Sequence, residues 1–219
     1  MLAECKTHGY YRGESCPICG DEGKFLLSDE ELDHIGRLMA GALRHFPERL
    51  GLQMDDHGWV DLQEFANTVR NNRYRMHWFR PHHLEAIVDT DPKGRYQIWG
   101  GKIRATYAHT VQVDTSDLPI ANCDELFYPV TEEELDIVLE QGLRPTDRKQ
   151  LHLSGTIENA LSAGKVRTED PVILGIDVSA AREDGISIRR AGKTVYVADR
   201  IDARHLHVID PSGYATPAE

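Results

Sequence analysis

The stretch RYQIWGGKIRAT runs from Arg95 to Thr106. Its two arms, RYQIW and KIRAT, are rich in β-branched and aromatic residues, which suit a pleated strand. Between them Gly100-Gly101 supplies the positive φ that a tight hairpin turn requires. The stretch therefore predicts a two-stranded antiparallel hairpin. What precedes it decides the fold.

Three helical segments come before the hairpin. Ser28-Asp-Glu-Glu31 is a capping box. It opens a helix with Leu32, Ile35, Leu38, Met39, Ala42, Leu43 and Phe46 at helical spacing. Arg44 and His45 fall in its last turn, where the helix dipole favours cations, and Pro47 stands as the breaker. Asp61-Leu-Gln-Glu64 is a second such start, followed by Leu62, Phe65, Ala66 and Val69 on one face. A third helix is expected over about 81–89, with Pro81 in its first turn. Three helices followed by a hairpin is the order of a winged helix.

After TSDLPIANCDEL the pattern changes. A short strand is expected around Glu125–Tyr128, then a helix from Thr131-Glu-Glu-Glu134 to Gly142, which suits a left-handed C′ position. The acidic triplet reads as a first turn favoured by the dipole. A strand at Gln150–Leu153, a helix from Thr156 to about Ala163, a buried strand at Val172–Val178 and a hairpin around Ala191-Gly192 complete an α+β half. The expected division is a module at 1–24, a winged-helix lobe at 25–116 and a second lobe at 117–219.

The chain has 219 residues, 40% of them hydrophobic, and a net charge of −11. That is enough apolar material for a core. No apolar run approaches the roughly 20 residues of a membrane span, and the reading is of a soluble, cytoplasmic protein. The acidic total argues against nucleic acid. However, residues 70–104 hold Arg70, Arg73, Arg75, Arg80, Lys93, Arg95, Lys102 and Arg104, against Glu85, Asp89 and Asp91. Such a stretch is either a solvated face or a local phosphate-attracting surface, because screening makes local charge count for more than the total.

Three of the four cysteines lie in the first twenty residues, as Cys5-x-x-His8 and Cys16-Pro-Ile-Cys19. Two such knuckles match a tetrahedral Zn²⁺ site. Gly9 and Gly20 follow them, where these turns need positive φ. A disulfide competes as a reading, but three cysteines and a histidine suit it poorly. With four protein ligands the ion would be structural. Cys123 reads as an ordinary thiol.

Several chemistries are excluded. There is no G-x-G-x-x-G after a strand, no G-x-x-x-x-G-K-[ST] and no G-x-S-x-G. What remains is arginine and histidine: Arg44-His45, Arg104 with His109, and Arg148 before His152-Leu-Ser154. Arginines brought together from such distant segments would bind a polyanion, since each offers fixed paired donors and keeps its charge at pH 7. Arg44 and His45 read equally well as a helix-end cap.

The segments LRHFPERLGL, GWVDLQEF, RYQI, IRATYAHTVQV, GLRPTDRKQLHLS and GKTVYVA occur in one order over about residues 28–208. Together they resemble the RNA 2′-phosphotransferase family, which removes the splice-junction 2′-phosphate from tRNA. The resemblance implies an N-terminal winged-helix RNA lobe and a C-terminal NAD⁺-binding lobe of ADP-ribosyltransferase type. It implies two steps. The RNA 2′-phosphate displaces nicotinamide from NAD⁺, and a ribose hydroxyl then attacks the phosphorus. The products are a 2′-OH RNA and ADP-ribose 1″,2″-cyclic phosphate.

By the same resemblance, Arg44, His45, Arg104 and Arg148 form the catalytic set, and His109-Thr110 lies near RNA. Ala108 stands where the family has a glycine. The family's L-Y-H-G-T segment, which holds NAD⁺, falls on Leu126–Val130. Tyr128 replaces its histidine and Val130 its threonine, so the contacts to NAD⁺ from Tyr128, Val130, Gly142 and His152 must differ from the family's. The Cys/His module resembles an N-terminal extension of some archaeal members. Two other functions stay open: a noncatalytic zinc and winged-helix nucleic-acid binder, and a relative that ADP-ribosylates nucleic-acid ends or a protein.

Overall fold

The computed structural model describes residues 1–72 and 76–210. Arg73 and Arg75 of the basic stretch lie outside the described residues. The fold is mixed α+β, in two compact units, Met1–Asp114 and Thr115–Glu219.

The first unit opens with three short strands, β1 (Leu2–Cys5), β2 (Gly9–Arg12) and β3 (Lys24–Leu27), in the order β2-β1-β3. This sheet carries the two cysteine knuckles. It is not a free appendage, because Leu2, Leu26 and Leu27 are buried in the same core as Ile35, Met39 and Leu43. Helix α1 (Asp29–Arg44) starts at the expected capping box: the Ser28 hydroxyl accepts from the Glu31 N–H, and the Ser28 N–H donates to Glu31. The helix stops at Arg44, two residues before Phe46. Phe46 therefore leaves the apolar face and is 42% exposed, while Pro47 opens a 3-10 turn (Pro47–Leu50) rather than ending the chain's helical course.

Strand β4 (Val60–Asp61) leads into α2 (Leu62–Asn72), whose Glu64 N–H is capped by the Asp61 carboxylate at 2.7 Å. Helix α3 (Pro81–Asp89) and the hairpin β5 (Tyr96–Trp99) and β6 (Lys102–Ala105) fall where the sequence puts them. Gly100 and Gly101 have φ of 58° and 76°, the pair of positive values a two-residue hairpin turn needs. β4 pairs with β6, giving the order β4-β6-β5. The basic stretch is largely spent within the unit. Arg104 is 4% exposed, Arg95 is paired with Asp91 and Lys102 with Asp55.

In the second unit the described residues form one antiparallel sheet of order β10-β11-β8-β7-β9-β12. Its strands are β7 (Glu125–Val130), β8 (Leu151–Ser154), β9 (Val172–Asp177), β10 (Ile188–Arg190), β11 (Val195–Ala198) and β12 (Leu206–Val208). Helices α4 (Glu132–Gln141), α5 (Ile157–Gly164) and α6 (Val178–Glu183) connect them. Thr131 and Glu134 close a capping box on α4, and Thr156 caps α5. Gly142 has φ +78°, and a Cβ there would sit 2.4 Å from the Ile201 carbonyl oxygen. Gly142 is the C-cap rather than C′, and its ψ of −177° lies outside the expected left-handed helical region, in a conformation open essentially to glycine alone. Both this backbone and the close approach of the Ile201 carbonyl require glycine. Among the described residues no helix is long and apolar enough to cross a membrane.

Candidate functional site

The cysteine knuckles bring four ligand atoms together. Cys5 Sγ lies 3.6 Å from His8 Nδ1 and 3.7 Å from Cys19 Sγ, and Cys16 Sγ lies 3.5 Å from His8 Nδ1. All four lie within 4.8 Å of one another. Zn–S bonds of about 2.3 Å and Zn–N bonds of about 2.05 Å at tetrahedral angles give edges of about 3.8 Å and 3.6 Å. The observed spacing matches those edges. The cysteines are not joined as disulfides. Backbone N–H groups of Thr7 and His8 lower the Cys5 pKa, and those of Cys19 and Ile18 lower that of Cys16, which favours two of the thiolates a metal needs. Against a bond from the Asp21 N–H, burial and the adjacent Cys16 and Cys5 sulfurs push Cys19 up to about 11, so its proton leaves only when a cation takes its place. Gly9 and Gly20 both have φ of +77°, as their place after the knuckles demands. The cluster is consistent with a zinc module.

The second constellation of the first unit forms where α1 ends. Arg44 is the last helical residue, and its carbonyl is one of the four that a helix leaves unpaired at its C-terminus. The Thr110 N–H answers it at 3.0 Å. The Thr110 hydroxyl lies 3.0 Å from His45 Nδ1. The structure thus joins the predicted catalytic pair to Thr110 of the predicted RNA segment. His109 is buried, with 6% exposure.

The Arg44 side chain runs between two tyrosine rings, 5.0 Å from the Tyr107 centroid and 5.6 Å from that of Tyr96. Its Nε and Nη2 are buried and have no hydrogen-bond partner among the described residues. Burial raises the pKa of both tyrosines, so they flank the cation as neutral rings. The carboxylate nearby, Asp91, is taken by Arg95 at 2.7 Å, and that hydrogen bond helps to hold the Asp91 pKa down despite its burial. Arg44 therefore presents a positive charge with donors still to be satisfied.

Arg104, from β6, is fixed differently. Its Nε and Nη2 donate to the Gln97 side chain at 3.1 and 2.9 Å, and Nη1 to the His57 carbonyl at 3.2 Å. Its guanidinium also lies 4.3 Å from the Trp59 ring centroid. Tyr96, Tyr107, Gln97 and Trp59 were not singled out from the sequence. All four lie within segments that were, but their role in gripping an arginine depends on packing, and periodicity carries no such signal.

In the second unit, Tyr128, Val130 and Gly142 line one cavity of about 350 Å³ together with Arg144 and Arg167. Arg167 is paired with Glu134 across its wall. Burial raises the Tyr128 pKa, which keeps its hydroxyl a donor. His152 is not part of this cavity. Phe127 pairs with Ser154, so Ser154 and, two residues away, His152 share the sheet face opposite to Tyr128. Arg148 lies in the exposed segment between Gly142 and β8.

Residues 30–200 match the family described as RNA 2′-phosphotransferase, Tpt1/KptA family. A "Probable RNA 2′-phosphotransferase" of Methanosarcina barkeri is 40% identical over 210 residues, covering 96% of this chain and 100% of that one. "Probable RNA 2′-phosphotransferase 1" of Archaeoglobus fulgidus is 42% identical over 202 residues, with 92% of each chain covered. A Thermoplasma acidophilum protein described in the same way as the first is 38% identical, over 96% of this chain and 90% of its own. The chain belongs to the RNA 2′-phosphotransferase family, and is an enzyme of the transferase class.

Proposed function

We propose that the protein removes an internal 2′-phosphate from RNA, of the tRNA splice-junction type, by transferring it to NAD⁺. The reaction releases nicotinamide, a 2′-OH RNA and ADP-ribose 1″,2″-cyclic phosphate. The observation that carries this reading is the pair of buried Arg44 nitrogens, Nε and Nη2, that have no hydrogen-bond partner among the described residues. A buried cation with open N–H groups costs free energy unless an anion meets it, and a dianionic phosphate is such an anion.

In this reading Arg44 and Arg104 bind the nonbridging phosphate oxygens. Fixed cations at those oxygens are what phosphoryl transfer mainly requires, because charge spreads over them as the phosphorus is attacked. The grips of Gln97 and Trp59 on Arg104, and of Tyr96 and Tyr107 on Arg44, limit reorganisation. His45 orients a phosphate or ribose hydroxyl, with Thr110 setting its ring. Arg148 is assigned to the phosphorus-centred second step.

We read residues 25–116 as a winged-helix RNA lobe, on the order of its helices and hairpin, and 117–219 as an ADP-ribosyltransferase-like lobe for NAD⁺. NAD⁺ supplies the electrophilic ribose carbon and the acceptor hydroxyl. In the second lobe the Tyr128 hydroxyl, Arg144 and Arg167 offer donors suited to ribose hydroxyls and a pyrophosphate. Val130 and Gly142 complete that wall, and His152 contributes from the other sheet face. Residues 1–24 hold a structural Zn²⁺, and the thiolate set suits the reducing cytoplasm.

The test incubates the zinc-loaded protein with a 2′-phosphorylated RNA and NAD⁺. The expected products are a 2′-OH RNA and ADP-ribose 1″,2″-cyclic phosphate. An ADP-ribosylated RNA as the final product would make the enzyme an RNA-modifying ADP-ribosyltransferase instead. No turnover by folded protein would overturn both readings.

A further inference from the structure

The exit of α1 leaves a feature that phosphate binding does not use. Phe46 directly follows the Arg44-His45 pair, and its backbone is pinned by an N–H bond to the Gly41 carbonyl at 2.9 Å. Its ring is 42% exposed. The ring sits 5.7 Å from that of His45, and the Arg49 guanidinium lies 4.1 Å from its centroid. It forms one wall of a groove of about 430 Å³, floored by Leu38 and Gly41 and rimmed by His34, Arg37 and Arg49.

Three observations select an occupant. First, the rim is cationic: no carboxylate lines the groove among the described residues, on a chain whose net charge is −11. Arg37 is tied to Asp33 one turn back, which leaves Arg49 to supply the positive charge. Second, an exposed aromatic ring stacked with an arginine is the platform on which proteins hold unpaired bases. Third, Gly41 lies inside α1, where glycine costs about 1 kcal/mol relative to alanine. A Cβ there would meet nothing within 4 Å, so no backbone packing demands this glycine. Its effect is to keep the groove floor flat.

We propose that this groove seats the base of a nucleotide flanking the 2′-phosphate in single-stranded RNA, stacked on Phe46. The proposal rests on the phosphotransferase reading, since it places this base next to the residues that take the phosphate. The groove then sets which RNA is drawn to Arg44 and His45, and acts through KM.

The test uses full-length protein and a 2′-phosphorylated oligonucleotide with 2-aminopurine placed, in turn, on each side of the phosphate. Stacking in the groove quenches its fluorescence at one of the two positions. Phe46→Ala is expected to abolish the quench and raise KM roughly 5- to 160-fold, the range that truncating a base-stacking aromatic produces. Phe46→Trp restores both. Gly41→Leu projects a side chain into the groove from a Cβ that meets nothing within 4 Å and improves helix propensity, so it is expected to raise KM in a protein whose urea midpoint is no lower than the parent's. An abasic residue at the quenched position raises KM as Phe46→Ala does, and the two changes combined do no more than either alone. Turnover without a quench, additive effects of the two changes, or parental KM in Gly41→Leu would overturn the proposal. A quench without turnover would leave the stacking site standing and sink the phosphotransferase reading instead.

Discussion

Thr110 holds the Arg44-His45 corner from two sides: its N–H donates to the Arg44 carbonyl at 3.0 Å, and its hydroxyl lies 3.0 Å from His45 Nδ1. The backbone bond closes a helix end, while the side-chain bond fixes an imidazole. The two are separable by mutation. Thr110→Val keeps the shape and the backbone bond but removes the hydroxyl. Losing one orienting hydrogen bond worth about 1.4 kcal/mol is expected to lower kcat about tenfold. Thr110→Ser should restore it. Single-turnover rates on the 2′-phosphorylated RNA check this, and a parental rate in Thr110→Val would show that His45 is oriented by something else.

Arg44 sets activity against stability. Its buried Nε and Nη2 are unanswered among the described residues, so in the free protein the charge is a liability. Arg44→Met replaces it with an apolar chain of similar reach between Tyr96 and Tyr107. Stability in the absence of ligand should stay level or rise by about 1 kcal/mol. Activity should fall at least about 100-fold, as for the loss of a positioned oxyanion donor. Arg44→Lys should not rescue it, because a single ammonium cannot present paired donors. Urea unfolding and steady-state rates on the same preparations decide the matter, and a large loss of stability in Arg44→Met would make the arginine a structural residue.

Ala108 has φ +67°, the one positive value at a non-glycine among the described residues. Left-handed backbone costs an alanine about 1–2 kcal/mol, and the segment accepts it between Tyr107 and the His109-Thr110 pair. The family's glycine would adopt the same conformation without strain. Ala108→Gly should therefore be neutral or stabilising by up to about 1 kcal/mol, despite the entropy that glycine adds to the unfolded chain. Ala108→Val should cost more than 1 kcal/mol, since a β-branched residue at positive φ is a stronger outlier. Thermal unfolding of the two variants tests the geometry, and a clear loss of stability in Ala108→Gly would refute it.

These cases mark what the chain's residues made legible. Local chemistry carried far: the Ser28 capping box, the helix start at Thr131, the Gly100-Gly101 turn and the two cysteine knuckles each act within a few residues, and each appears where its spacing demands. Short elements were hidden. Helix α6 has six residues and β12 has three, too few for a period to show. Phe46 fits α1's apolar spacing, yet the helix ends before it, so a residue expected in the core became a groove wall. The Arg44–Thr110 link spans 66 positions and rests on a backbone bond, which no residue pattern encodes. The face on which His152 lies follows from strand register, and that too is settled only by pairing.

His83 gives a pH prediction. It accepts from the Arg80 N–H through Nδ1 at 3.0 Å, at the start of α3. Desolvation first, then the charge of His82, push its pKa down to about 4. Lys24 and Arg80 add to the repulsion of a proton there, and the Trp78 and Phe79 rings pack against it. The folded state therefore holds it neutral, while the unfolded chain protonates it near pH 6.5. Its contribution is fully present above about pH 6.5 and is lost as pH falls toward 4, because the unfolded state then binds the extra proton. The loss should amount to about 3 kcal/mol. His83→Phe should flatten stability over the part of that window above about pH 5, where the carboxylates with lowered pKa, such as Asp91, do not yet titrate in either state. Urea midpoints from pH 7 to 4 on parent and variant test this; an unchanged slope in His83→Phe would remove His83 as the cause.

The knuckle sheet should matter beyond its own residues. Leu2, Leu26 and Leu27 are buried in the core that α1 shares, and Arg12 of β2 donates to the Thr90 hydroxyl at 3.1 Å, at the end of α3. Metal binding is therefore coupled to the packing of the whole first unit. Purified protein should hold about one zinc ion per chain, and Cys16→Ser should lower that sharply. On chelation, amide exchange should quicken in β1 and β3 and also along α1, at Ile35, Met39 and Leu43, whose side chains lie in the same core as the two leucines of β3. The second unit, with its own core, should keep its protection. If chelation frees the knuckles while α1 stays fully protected, the sheet is held by its apolar contacts alone and the metal plays no part in the unit's stability.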